Sequence, residues 1–366
     1  MKNELQTTNP QEDILPQSKS HPARNIFGIF LLILFLLSIV IFFRSEKNDA
    51  RGNLLSMKGQ SVSPTPFPFQ EMTIPYLRER KYTSSIGEQQ LVGNNGLYTS
   101  YLTSYSSDGL NINALLTKPN GKEPQGGWPA IVFVHGYIPP TQYVTTERYN
   151  DHVDYLARNG FVVLKIDLRG HGDSEGQPGG GYFGSDYVVD TLNAYAALQS
   201  TEFVNPNKIG IWGHSMAGNI LMRSLAARPT IPAVVIWAGA VYSYEDQRKY
   251  GINDQSYRPP QIVRQQQNRR GEMYEKYGSP SAQSVFWQQV APTNYLEDIK
   301  GAIQIDHAVN DAVVDIGYSR DLMKLLDKTS VPHEFYEYPS GGHNIEGVSF
   351  GLAMERTVDF FKEYLK

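Results

Sequence analysis

The chain has 366 residues, 40% hydrophobic and 19% charged, with a net charge of −4. That length admits one large α/β domain plus attachments, and the charge gives no basic footprint for nucleic acid. Cysteine is absent, which excludes disulfides, thiolate metal sites and a cysteine nucleophile.

Residues 1–25 read as a polar N-terminal tail. Ile26 to Phe43, IFGIFLLILFLLSIVIFF, carries no charge over about the length that crosses a bilayer core. A signal peptide would be followed by a small-x-small cleavage site, whereas Phe42, Phe43 and Arg44 stand there; an uncleaved, single-pass transmembrane anchor is expected. Lys2, Lys19 and Arg24 precede the span, and Arg44, Lys47, Arg51 and Lys58 follow it. A strict count of nearby positive charge puts the following side in the cytoplasm, although large domains translocate despite such charges. The stretch QSVSPTPFP at 60–68 resembles a proline-rich stalk, and the reading leans towards a domain outside the cytoplasm. Residues 44–95 are expected to be a proline-containing linker and lead-in, and residues 96–366 the domain.

Tyr98 to Tyr105 and Leu110 to Thr117 flank Ser107-Asp108-Gly109, a hairpin signal. Short apolar runs then alternate with helical patterns. Strands are predicted at Ala130 to Val134, Phe161 to Ile166, Ile209 to Trp212, Ala233 to Trp237, Ala302 to Ile305 and Glu334 to Tyr338. Helices are predicted at Tyr149 to Arg158, around Val188 to Tyr195, from about Met216 to Arg228, around Leu322 to Leu326 and at Thr357 to Tyr364. This alternation signifies an α/β fold: a mainly parallel sheet with helices on both faces, which puts its chemistry at the carboxyl ends of the strands. Residues 241 to about 290 break the rhythm. They are polar, tyrosine-rich and helix-prone, and are read as a helical cap inserted over those strand ends.

In IWGHSMAGN (211–219), Ser215 sits between a predicted strand and a predicted helix, the context of a strained nucleophile elbow. The acid is sought after the strand Ala302 to Ile305, where Asp306, Asp311 and Asp315 compete. Asp306 lies at the strand end, Asp315 looks like a helix N-cap, and Asp311 falls in the loop; Asp311 is assigned to orient the base. The base is His343, in the glycine-rich YPSGGHN (338–344) after the last strand. The amides of Met216 and Tyr137 are the expected oxyanion donors, and the Tyr137 hydroxyl is a further option.

Taken together, FVHGY (133–137), DLRGHGDSEG (167–176), IGIWGHSMAGN (209–219), YPSGGHN (338–344) and the run 291–315 resemble the α/β-hydrolase superfamily. More narrowly, they resemble the catalytic domain of the prolyl oligopeptidase and acylaminoacyl-peptidase family (peptidase S9). The resemblance covers roughly 98–366 and implies the roles of nucleophile, acid and base for Ser215, Asp311 and His343. Ala217 and Ala308 replace glycines usual in that pattern. The propeller domain of the larger peptidases has no room here.

The expected activity is that of a serine hydrolase cleaving carboxylic esters or short peptides through an acyl-enzyme. A membrane-surface acyltransferase and a catalytically idle binding module of the same fold are the alternatives. No cofactor is required, and no ligand spacing supports a metal site from His135, His171 and His307. Asp167, Arg169 and His171 are read as holding their own loop. Arg264, Arg269 and Arg270 are read mainly as a solvated helix face, with attraction of a carboxylate as the alternative.

Overall fold

The computed structural model describes residues 67–179 and 181–366. The segment 26–43, expected to span a bilayer, lies outside the described residues. Among the described residues no helix is long and apolar enough to cross a membrane.

The first elements are helix α1 (Ile74–Glu79) and strands β1 (Gln90–Asn94), β2 (Tyr98–Ser107), β3 (Leu110–Pro119) and β4 (Trp128–Val134). Helix α2 (Asn150–Arg158), strand β5 (Val162–Ile166), helix α3 (Asp186–Gln199), strand β6 (Val204–His214), helix α4 (Ala217–Ala227) and strand β7 (Ala233–Trp237) follow. Three helices come next, α5 (Tyr244–Tyr250), α6 (Pro260–Tyr277) and α7 (Val285–Val290). Strand β8 (Ala302–Ala308), helix α8 (Gly317–Leu326), strand β9 (His333–Tyr338) and helix α9 (Val348–Tyr364) complete the chain.

The nine strands form one sheet in the order β1-β2-β3-β5-β4-β6-β7-β8-β9. The first three strands and the β3–β5 pair are antiparallel, and every pair from β5 to β9 is parallel. Parallel strands buried on both faces need apolar residues at every position rather than at alternate ones. Strand β4 meets this requirement. Ala130, Val132 and Val134 belong to one core, with α1, α3, α4 and α8, while Ile131 and Phe133 belong to a second, with α2 and α9.

Residues 67–95 depart from the expected lead-in. Thr73 caps α1 by accepting the Tyr76 amide at 3.4 Å, Pro75 occupies its first turn, and Ile74 and Leu77 are fully buried. Strand β1 extends the sheet edge, exposed at all five positions.

Strands β4 and β6 are neighbours although β5 intervenes in sequence. The chain leaves β4 to one side and returns to the other, so the strand order reverses between them. Such a reversal opens a crevice at the carboxyl ends of the strands.

Candidate active site

Ser215 follows β6 directly and holds φ at +57°, a left-handed conformation uncommon for a residue with a side chain. Its amide donates to Trp237 O at 2.9 Å and its carbonyl accepts from Ala240 and Gly218 at 3.1 and 2.9 Å, so neighbouring backbone holds the turn. The close approaches that need glycine are elsewhere. A Cβ on Gly213 would lie 2.7 Å from the Ala217 Cβ, and one on Gly218 would lie 2.7 Å from the Gly239 Cα. Helix α4 therefore meets β6 at 213 and the loop after β7 at 218, and Ala217, which departs from the glycine pattern, is accommodated because Gly213 opposite it has no side chain.

Two further loops converge on this turn. His343 lies in the loop after β9 and Asp311 in the loop after β8. His343 Nε2 is 2.9 Å from Ser215 Oγ, and His343 Nδ1 is 2.8 Å from Asp311 Oδ2. Asp311 Oδ1 accepts the amides of Val313 and Val314 at 2.8 and 3.0 Å, and Oδ2 also faces His307 Nε2 at 3.1 Å. Burial alone would raise its pKa; hydrogen bonds from His307 and His343, the His343 charge and the Val314 amide hold it well below the usual carboxylate range. His307 Nε2 faces only oxygen acceptors, Asp311 Oδ2 and Val314 O, so a proton sits on Nε2, and Nδ1 lies 2.7 Å from Ser319 Oγ.

The other aspartates are occupied otherwise. Asp306 is buried, accepts Tyr338 Oη and Gln304 Nε2, each at 2.6 Å, and is pushed by burial up to about 7. Asp315 Oδ1 accepts the Gly317 amide at 2.7 Å at the start of α8.

A second chain of hydrogen bonds runs behind the serine. The Gly136 amide donates to Tyr149 Oη at 3.0 Å; Tyr149 Oη lies 2.8 Å from His214 Nδ1; His214 Nε2 lies 2.8 Å from the His343 carbonyl. A carbonyl only accepts, so His214 is protonated on Nε2 and takes the Tyr149 hydroxyl proton on Nδ1. Burial, with the nearby His343 charge, lowers the His214 pKa well below the ordinary value. Tyr149 reaches this place from a left-handed pair, Arg148 and Tyr149 at φ +59° and +55°. The buried Lys165 ammonium steadies that pair by donating to the Glu147 and Arg148 carbonyls at 2.6 and 2.9 Å. Gly136, His214 and His343 of this chain stood in motifs; nothing in the sequence signalled Tyr149.

Because Tyr149 takes the Gly136 amide, Tyr137 offers the next N–H of the loop after β4. Its hydroxyl donates to Tyr257 O at 2.9 Å and is engaged there. Met216 is the N-cap of α4, where amides point away from the helix without intrahelical acceptors.

A cleft of about 920 Å³ lies over these residues, lined by Tyr137, Tyr149, His152, Ser215, His343 and Phe350 among others. A second cavity of about 550 Å³ shares Tyr137, Ser215 and Asp254 with it and is walled by α5, α6 and the segment between them. Asp167, Arg169 and His171 line neither. Arg169 instead bonds Asp190 at 2.7 Å, and Asp167 Oδ2 accepts from Thr145 at 2.5 Å. The His135 and His171 rings pack 4.9 Å apart, away from His307, which faces Asp311.

A family model described as serine aminopeptidase, S33, matches residues 129–272. A polyketide transferase, claH, of Penicillium crustosum is 30% identical over 146 residues, 40% of this chain and 46% of that protein. The chain thus spans about half the length of that relative. Acetyl xylan esterase 1 from Thermoanaerobacterium matches with a TM-score of 0.56 at 19% identity, covering 83% of this chain and 95% of its own. An acylaminoacyl peptidase from Pyrococcus horikoshii matches with a TM-score of 0.57 at 20% identity, covering 74% of this chain and 42% of its own. The chain has the α/β-hydrolase fold, and it resembles serine esterases and peptidases, including the acylaminoacyl-peptidase kind.

Proposed function

We propose that the protein is a serine hydrolase that cleaves carboxylic esters or short peptides through an acyl-enzyme, with Ser215 as nucleophile, His343 as base and Asp311 as the residue that orients it. One observation carries the reading: Ser215 Oγ, both His343 nitrogens and Asp311 Oδ2 stand in line at 2.9 and 2.8 Å. Esterases and peptidases among the structural neighbours support the same chemistry.

The roles follow from the donors and acceptors. Asp311 accepts from Nδ1–H, which leaves Nε2 free to take the Ser215 proton as Oγ bonds to the substrate carbonyl carbon. The carbonyl oxygen becomes an oxyanion, and the amides of Met216 and Tyr137 are its donors; each such donor is worth about 10²–10³ in turnover. The imidazolium then protonates the leaving oxygen or nitrogen as its bond to carbon breaks. Water repeats the sequence on the acyl-enzyme.

A fluorophosphonate probe tests this directly. The folded protein is expected to be labelled and Ser215→Ala is not; a folded wild type that resists labelling would establish the idle binding module instead. The polyketide transferase relative motivates acyl transfer as a second reading. Added alcohol acceptors that divert product from acid to new ester at low millimolar concentration would support it.

Helices α5 to α7 serve as the cap over the strand ends in this reading, within a domain that takes in α1 and β1 and so begins before the expected residue 96. Residues 26–43 anchor the chain as a single pass, with the domain on the extracytoplasmic side. The apolar, uncharged run motivates this. Full-length protein is expected to sediment with membranes and to be released by deletion of residues 1–58; recovery of the full chain in the supernatant without detergent would rule the anchor out.

A further inference from the structure

The two cavities at Ser215 divide the substrate. His343 lines the larger cleft and not the smaller one. On the serine-hydrolase reading, on which this inference rests, His343 protonates the leaving group, so the leaving group lies in the larger cleft and the acyl group in the smaller.

The smaller cavity carries an unbalanced charge. Arg248, Arg258 and Arg270 line it, and Asp254 is the one acidic side chain in its wall. Arg258 consumes that acid, donating to Asp254 Oδ2 at 3.0 Å, and its guanidinium lies 5.0 Å from the Tyr137 ring centre. Arg248 and Arg270 have no carboxylate partner among the described residues; Arg270 sits over the Phe183 ring at 6.0 Å. Their neighbours in sequence contrast with them. Lys249 pairs with Asp321 at 2.7 Å, and Arg269 pairs with Glu71 and donates to Phe183 O, each at 2.5 Å. Lys249 and Arg269 line neither cavity, and neither does Arg264. Lys249 and Arg269, which are directed elsewhere, are thus neutralised, whereas Arg248 and Arg270 bring unpaired charge to the wall of the acyl cavity.

Met216, Ile262 and Tyr274 give the same wall an apolar part, and Gln247 and Gln266 add amide donors. An apolar stem ending in a planar anion fits such a wall. Guanidinium matches carboxylate in a two-point fork.

We propose that the acyl group bears a terminal carboxylate, held by Arg248 and Arg270, so that the substrates are monoesters of short dicarboxylic acids. Ser215 Oγ bonds to the ester carbon, the ester C–O bond breaks, and the serine proton passes through His343 to the departing alcohol. Water then releases the dicarboxylate and restores the serine.

The test compares p-nitrophenyl hemiglutarate with p-nitrophenyl valerate, which match in length and differ in end charge. The hemiglutarate is expected to have the higher kcat/KM, and its advantage shrinks as salt is raised from 0.01 to 0.5 M. Arg248→Gln and Arg270→Gln are each expected to lower the ratio of the two kcat/KM values about tenfold, whereas Arg264→Gln leaves that ratio unchanged. A protein that reacts with fluorophosphonate yet hydrolyses hemiglutarate no faster than valerate overturns the inference and leaves the proposed function standing. A folded protein that fails to react with the probe overturns the proposed function itself.

Discussion

Both carboxylate oxygens of Asp311 are in use: one holds two backbone amides of its own loop, the other faces two imidazoles. An asparagine there would keep an oxygen on the amides and turn its NH₂ towards His343 Nδ1. His343 would then carry its proton on Nε2 and could not accept one from Ser215. Asp311→Asn is therefore expected to lower kcat by about 10⁴ with the fold retained, as read by circular dichroism. Asp315→Asn, which touches only the Gly317 amide, is expected to cost little; the reverse ranking would remove Asp311 from its role. Tyr149 acts through others. Tyr149→Phe keeps the ring that packs 5.4 Å from Phe133 and deletes the hydroxyl between Gly136 and His214. A fall of about 10–100-fold in kcat, with KM little changed, is expected; an unchanged kcat would reduce Tyr149 to packing. Serine, aspartate and histidine could be sought because each falls in the loop after a predicted strand: Ser215 and Asp311 follow the buried ends of β6 and β8, and His343 follows the polar β9 in a glycine-rich loop. Tyr149 was not, because its position depends on two left-handed residues and on a buried lysine far from it in the chain.

At the next scale, the elbow is a contact between two elements. A methyl group at residue 218 would press on backbone atoms of Gly239 and Ala240, which have no rotamer to yield. Gly218→Ala is expected to destabilise the fold by about 1–3 kcal/mol, measured by urea denaturation, and to slow fluorophosphonate labelling as the turn at Ser215 opens. Equal stability and labelling rate would show that the helix simply shifts. The central parallel strands β4, β5 and β7 were readable because burial on both faces makes them short, continuous apolar runs. Strand limits were less so: β6 begins at Val204, five residues before the apolar run, because Val204 pairs with Trp128 across a register shift. Strand β1 has no alternation to read, since none of its residues is buried. Helix α1 left a fainter signal in Thr73 and Pro75, a cap followed by a first-turn proline, hidden by its shortness.

Over the whole molecule, buried titratable groups set how stability varies with pH. Burial lowers the pKa of His135 to about 4 and of His152 and His171 to about 3, and puts His214 well below its ordinary value. A group whose folded pKa is depressed stabilises above its unfolded pKa, roughly 6.5 for histidine, and that stability is lost as pH falls. Asp167 and Asp306 work the other way: burial raises both to about 7, so their contribution is greatest below the unfolded pKa and is lost as pH rises towards 7. Near pH 5.5, unfolding lets four histidines take up protons and two aspartic acids release them, a net uptake of about two protons. Stability then rises with pH, since the unfolded state binds more protons. The urea midpoint of a chain lacking residues 1–58 is expected to climb from pH 5 to 6.5 and to flatten near 7, where the half-ionised aspartic acids of the folded state release about as many protons on unfolding as the histidines still take up. A midpoint that falls over that interval would mean that the carboxyl groups outweigh the imidazoles. His152→Phe, which removes one imidazole from an aromatic cage of Phe133, Trp212, Trp237 and Phe350, is expected to reduce the slope by about one proton.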